Sequence, residues 1–137
     1  MTRTYAGTID LLRQAGLRPT RQRVGLSYLL FHAGDRHVTA DQLHGEADKA
    51  RLKVSLATVY NTLHQLSDAG LLSVVVVEPG RSYFDTNIGG HHHFFNVDTG
   101  ELADIPSDAV AVPALPSPPD GTVIEQVSII VRVRQKS

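Results

Sequence analysis

With 137 residues and 42% apolar content, the chain can build one ordinary domain or two small ones around a true core, which sets disorder aside. It has no cysteine, so disulfides, thiolate zinc sites and cysteine nucleophiles are excluded, and any transition metal must be held by histidine, carboxylate or water. The formal net charge of −1 hides an asymmetry, because residues 1–87 carry ten Lys/Arg against eight Asp/Glu while residues 88–137 carry three against six.

The pattern predicts a helix over Tyr5 to Ala15, where Ile9, Leu12 and Ala15 keep helical spacing and Gly16 supplies a stop. After Pro19, Thr20 is placed to cap a second helix through about His32, with Val24, Tyr28 and Phe31 on one face and Arg21 and Arg23 at its entrance. Gly34-Asp35 ends it. Thr39-Ala40-Asp41-Gln42 fits a capping box opening a helix to about Ala50. Ser55 can cap a fourth helix, Leu56 to Ala69, with an apolar stripe of Leu56, Val59, Leu63 and Leu66 and a polar face of Thr58, Asn61, His64 and Gln65. The β-branched run Leu71 to Val77, the turn Glu78-Pro79-Gly80 and the segment Arg81 to Thr86 make a hairpin.

Three helices followed by a helix and a hairpin predict a winged helix-turn-helix, in which the last helix before the hairpin lies in the major groove of double-stranded DNA. Thr58 and Asn61 then face base edges. Tyr60, at the border of the apolar stripe, is either core or a base contact. Arg18 and Arg21 near the second helix and Arg81 at the wing are candidates for phosphates or the minor groove.

Asn87-Ile88-Gly89-Gly90 is the best boundary in the sequence, giving a DNA-binding domain over 1–87 and a second domain over 88–137. In the second, His91 to Val97 and Glu101 to Ile105 flank the turn Asp98-Thr99-Gly100. Thr122 to Arg134 alternates, with Val123, Val127, Ile129, Val131 and Val133 on one side. The five prolines between Pro106 and Pro119 permit at most a short helix within Ser107 to Ala114. So small a unit cannot bury that apolar strand face alone, so a homodimer is expected. The fold class is therefore α+β, a winged helix followed by a small α/β dimerisation domain. No apolar run approaches the roughly 20 residues of a membrane span and Met1 to Tyr5 has no signal-peptide core, so a cytoplasmic protein without a membrane partner is expected.

The run His91-His92-His93 carries the chemistry. On a strand, His91 and His93 share one face and His92 takes the other. Two imidazoles at i and i+2 can chelate Fe(II), Mn(II), Zn(II) or a haem iron, and Asp85 and Asp104 are the nearby carboxylates. A two-residue loop at Thr99-Gly100 would place Asp104 on the His93 side, whereas a three-residue loop would turn it away. A small non-haem metalloenzyme or a haem carrier is the rival of another class, but either leaves the helical half without a role.

The segments Gly16-Leu17-Arg18-Pro19-Thr20-Arg21-Gln22-Arg23, His37-Val38-Thr39-Ala40-Asp41-Gln42-Leu43 and Leu56-Ala57-Thr58-Val59-Tyr60-Asn61-Thr62-Leu63, together with the histidine run, resemble the ferric uptake regulator (Fur) family over nearly the whole chain. Gly90-His91-His92-His93-Phe94-Phe95-Asn96, free of cysteine, looks most like its iron response regulator (Irr) branch. The resemblance implies a dimeric transcriptional repressor, not an enzyme, controlling iron uptake and haem synthesis genes and losing DNA binding when haem arrives at His91, His92 or His93. It also adds His37, so that the family's hinge metal site falls on His37, Asp85, His91, His93 and Asp104. Its other common site matches Gly90, His92, Ala111 and Val127, where only His92 is a ligand type, which leaves His92 the histidine most free to take haem. The family's cysteine-held structural zinc is absent, with Asn96 and Thr99 at its first pair, and the Cys-Pro haem motif of some members is missing. An aspartate at position 104 is shared with the peroxide-sensing branch, so a peroxide-responsive Fe/Mn repressor is the alternative within the family.

Overall fold

Each helix of the first half begins where a hydroxyl caps it. The N-cap oxygens of Thr4, Thr20, Thr39 and Ser55 accept backbone N–H bonds at the starts of α1 (Tyr5–Gln14), α2 (Arg21–Phe31), α3 (Ala40–Lys49) and α4 (Leu56–Asp68). Each satisfies a donor that the helix cannot pair internally and contributes about 1 kcal/mol. At α3 the capping box is complete, since Gln42 returns its carbonyl to the Thr39 N–H at 2.9 Å. α1 and α4 close with Leu17 N–H on the Leu12 carbonyl and Leu71 N–H on the Leu66 carbonyl, across Gly16 and Gly70 at φ 77 and 80°. α3 closes the same way, but the left-handed position is held by Arg51 at φ 58°.

The computed structural model describes residues 4–89, 92–111 and 114–137, and the chain divides into two units, Met1–Ile88 and Gly89–Ser137. In the first, α2 packs against α1, α3 and α4. It is therefore buried on most sides, through Val24, Gly25, Leu26, Ser27 and Leu30, and the expected stripe of Val24, Tyr28 and Phe31 is mostly a half-buried flank. Leu12, Leu26, Leu30, Leu43, Val59, Leu63, Leu66 and Phe84 form a core with at most 1% exposure. Beside it lies an antiparallel sheet in the order β1-β3-β2, formed by β1 (His37–Val38), β2 (Ser73–Glu78) and β3 (Arg81–Asp85). The wing hairpin is β2-β3. It starts later than the apolar run suggests because Leu71 is used to close α4.

In the second unit, β4 (His92–Asn96) is the central strand between β5 (Leu102–Ile105), antiparallel, and β6 (Ile130–Val133), parallel. A parallel neighbour requires a long crossover. Residues 106–129 supply it, and among the described residues of this proline-rich stretch the one regular element is a 3₁₀ turn at Ser107–Ala109. The expected strand over Thr122 to Arg134 is correspondingly shorter. Among the described residues no strand pairs with 122–128, and Val123 is 86% exposed. Phe95, Leu102 and Ile105 are the buried apolar residues of this unit, while Phe94, Leu115, Ile124 and Val131 remain exposed. A single copy thus leaves an apolar surface uncovered. No helix among the described residues is long and apolar enough to cross a membrane.

Candidate metal centre and nucleic-acid interface

In the first unit the ligand types meet at the end of the wing strand. Asp85 is 1% exposed and its Oδ1 accepts the Asn87 N–H at 2.9 Å. His37 lies directly across from it in the β1-β3 register, with the Tyr83 ring edge-on at 6.2 Å. Side chains directly opposite on neighbouring strands share a face, so the imidazole and carboxylate are adjacent.

A two-residue strand cannot hold such a register by its ladder alone, and Arg36 anchors it. Its N–H donates to Thr86 Oγ1 at 2.8 Å and its carbonyl accepts the Thr86 N–H at 2.9 Å. Its guanidinium grips both oxygens of Glu46 on α3 and reaches the Leu29 carbonyl on α2 at 3.3 Å. Sequence reasoning missed this clasp. Arg36 and Thr86 lie fifty positions apart, and neither stands out by type or spacing.

The second unit brings His93 and Asp104 together as directly opposed partners of β4 and β5, with Nε2 to Oδ1 at 3.4 Å. The loop has neither length considered from sequence. Asn96 N–H bonds to the Glu101 carbonyl, so Val97–Gly100 is a four-residue loop, and even parity puts Asp104 on the His93 side. The loop is shaped by Asn96 Oδ1, which accepts the Asp98 and Thr99 N–H groups, and by Gly100 at φ 77°. His93 is 4% exposed, whereas the Asp104 side chain keeps 45% of its surface.

His92, the histidine most free to take haem by sequence, already has a partner. It is 7% exposed and its Nδ1 accepts the Ile129 N–H at 3.0 Å, because β4 is central and the crossover returns over it. The prediction for His91 falls outside the described residues.

The outward face of α4 presents Tyr60, Asn61, His64 and Gln65. Tyr60 is 47% exposed, which removes the core alternative, and its ring lies 4.6 Å from His64 and 6.3 Å from Phe84. Thr58 is half-buried, and its hydroxyl accepts the Ser55 hydroxyl at 2.9 Å, leaving it committed to the cap. Arg18 and Arg21 are exposed at the start of α2. Arg81 at the wing pairs with Glu78 at 3.3 Å, and that hydrogen bond raises the guanidinium further above its ordinary value. Arg23, which sequence reasoning left among the general basic residues, bridges elements: it donates to the Arg18 carbonyl and to Gln65 Oε1, both at 2.7 Å. Together with Thr20, Gln22, Thr58, Asn61 and Thr62, these two side chains line a polar cleft of about 240 Å³ between α2 and α4.

Residues 14–118 match the model of the ferric uptake regulator family. The chain is 35% identical over 100 residues to a ferric uptake regulation protein of Pseudomonas fluorescens, covering 72% of this chain and 81% of that protein. It is 38% identical over 94 residues to the protein of that name from Pseudomonas aeruginosa, covering 68% and 70%. Its structure is similar to that of the Pseudomonas aeruginosa ferric uptake regulator with manganese, at a TM-score of 0.69 and 28% identity over 93% of this chain and 97% of the other. The fold also matches the Vibrio cholerae ferric uptake regulator, at a TM-score of 0.73 and 23% identity over 93% and 98% of the two chains.

Proposed function

Because the chain belongs to the ferric uptake regulator family of metal-responsive, DNA-binding transcription regulators, we propose that it is a dimeric repressor whose DNA-binding arms are set by a divalent ion joining its two units. The observation that carries this reading is that each unit pairs a histidine with a carboxylate, His37 with Asp85 and His93 with Asp104. Membership in a family of regulators also sets aside the metalloenzyme and carrier alternatives.

His37, Asp85, His93 and Asp104, with His91 beside them in the sequence, would hold the ion. Imidazole and carboxylate without thiolate suit Fe(II), Mn(II) or Zn(II). When bound, the ion supplies a tie between the wing strand and the second unit. The Arg36 clasp keeps His37 opposite Asp85 before any ligand arrives, and the β4-β5 register does the same for His93 and Asp104. Half-sites on DNA are spaced by whole helical turns, so fixing the arms decides whether both α4 helices engage together. There Tyr60 and Asn61 would meet base edges, Thr58 would support them through the α4 cap, and Arg18, Arg21 and Arg81 would meet phosphates or the minor groove.

The histidine run also supports a haem-responsive version of this scheme, in the manner of the iron response regulators. His92 accepts the Ile129 N–H at Nδ1 and would have to give up that contact to hold haem iron through Nε2, whereas His93 could keep Asp104 on one ring nitrogen and offer the other. Loss of the Ile129 contact would couple haem capture to the packing of the second unit. The test is a gel shift with a duplex selected by the Mn(II)-loaded protein, repeated across a haem titration. Loss of the shifted band at one haem per protomer is expected. Unchanged DNA affinity at haem saturation would remove haem from the scheme and leave the divalent-ion reading in place.

A further inference from the structure

We infer that Gln65 is a specificity-determining residue oriented by Arg23 to lead with its NH₂ as a hydrogen-bond donor, so that it disfavours cytosine, whose major-groove edge offers only a donor, at one operator position. The inference rests on the assignment of α4 to the major groove.

A guanidinium carries only donors, so the amide atom that Arg23 Nη2 approaches at 2.7 Å must be the carbonyl oxygen of Gln65. The amide therefore has a defined orientation. Arg23 is itself fixed: Nη1 is committed to the Arg18 carbonyl at 2.7 Å, and its buried Nε has no partner, so two bonds alone orient the group. With Oε1 turned to Arg23, the Gln65 NH₂ is the end directed away from it. Gln65 is exposed on α4, one turn beyond Asn61, and both line the same polar cleft.

An unrestrained glutamine reads adenine bidentately, donating to N7 and accepting from N6. With Oε1 engaged by Arg23, the amide cannot freely set both of its ends on one base edge, so its NH₂ is the group that reads. Guanine offers two acceptors on its major-groove edge, thymine offers O4 and adenine N7, whereas cytosine offers only a donor. Asn61 has no such restraint among the described contacts and keeps both polarities for a neighbouring base.

The experiment selects bound sequences from a randomised duplex library with the full-length Mn(II)-loaded protein, for wild type, Gln65→Ala, Gln65→Glu and Arg23→Met. Wild type should show one position where guanine or thymine exceeds cytosine by roughly tenfold. Gln65→Ala should flatten that position alone. Gln65→Glu keeps its pairing with Arg23 but turns an acceptor outward, so the preference should reverse toward cytosine or adenine. Arg23→Met should raise adenine relative to guanine and thymine, because the freed carbonyl can then also pair with N6. If Arg23→Met does not fold, the two substitutions at the exposed Gln65 carry the test. A motif that stays unchanged in Gln65→Ala and Gln65→Glu overturns the inference while leaving DNA reading by α4 intact. Uniform weakening at all positions makes Gln65 a phosphate contact and overturns it equally. Failure of wild type to enrich any sequence overturns both the inference and the reading beneath it.

Discussion

Breaking the Arg36 clasp should loosen the first unit and weaken metal capture together. Arg36→Met removes the two bonds to Glu46 and the bond to the Leu29 carbonyl, but leaves the backbone exchange with Thr86. Shielded hydrogen bonds to charged groups contribute about 1.5–3 kcal/mol each. The Arg36 and Glu46 side chains keep 31% and 35% of their surface, and fully exposed pairs fall to about 0.2–1 kcal/mol. A coupling between these limits, about 1.5 kcal/mol, is expected. In a unit of this size it corresponds to a fall in Tm of about 6–12 °C. Urea denaturation of wild type, Arg36→Met, Glu46→Gln and the double variant measures the coupling directly. Calorimetric titration with Mn(II) should show affinity at least about tenfold weaker in the Arg36 variant, the cost of losing a supporting partner. A coupling below about 0.3 kcal/mol, or unchanged Mn(II) affinity, would refute the claim that Arg36 organises the His37 strand.

Arg51→Gly should stabilise the protein by about 0.5–1 kcal/mol. Relief of the left-handed backbone outweighs the entropy that glycine adds to the unfolded chain, and a thermal melt with Tm at or below wild type would contradict this. Tyr60→Ala should erase sequence preference in the library selection while moving Tm by only a few degrees, given its 47% exposure. A large fall in Tm with the motif intact would make it a structural residue packed on Phe84. Val123→Asp combined with Ile124→Asp should convert the dimer to monomer in light scattering without lowering helix content, since both side chains are exposed in one copy. Persistence of the dimer would place the interface elsewhere.

The helical half was legible because its signals are local. A hydroxyl three residues before a free N–H is visible in sequence, and Thr20, Thr39 and Ser55 all cap the helices they precede. What escaped depends on separation. β1 is two residues long and has no periodicity to read, and its anchor joins Arg36 to Glu46 and Thr86 across distant segments. The Arg23–Gln65 bond spans 42 positions. Alternation over Thr122 to Arg134 shows that one face is apolar, but not what covers it, and among the described residues only Ile130–Val133 forms a strand there. The facing of Asp104 turned on loop parity. Thr99-Gly100 alone does not fix that parity, whereas the bonds accepted by Asn96 Oδ1 do.

The central proposal is a divalent ion held by the paired histidines and carboxylates. Its most direct test is the DNA affinity of wild type, His37→Ala and Asp104→Ala on one selected duplex, in Mn(II) and in EDTA, with dimer content checked in parallel. Wild type should weaken at least tenfold on chelation, and both variants should bind in Mn(II) as weakly as wild type does in EDTA while remaining dimeric. Equal wild-type affinity in the two conditions, or variants that bind as wild type does in Mn(II), would contradict it.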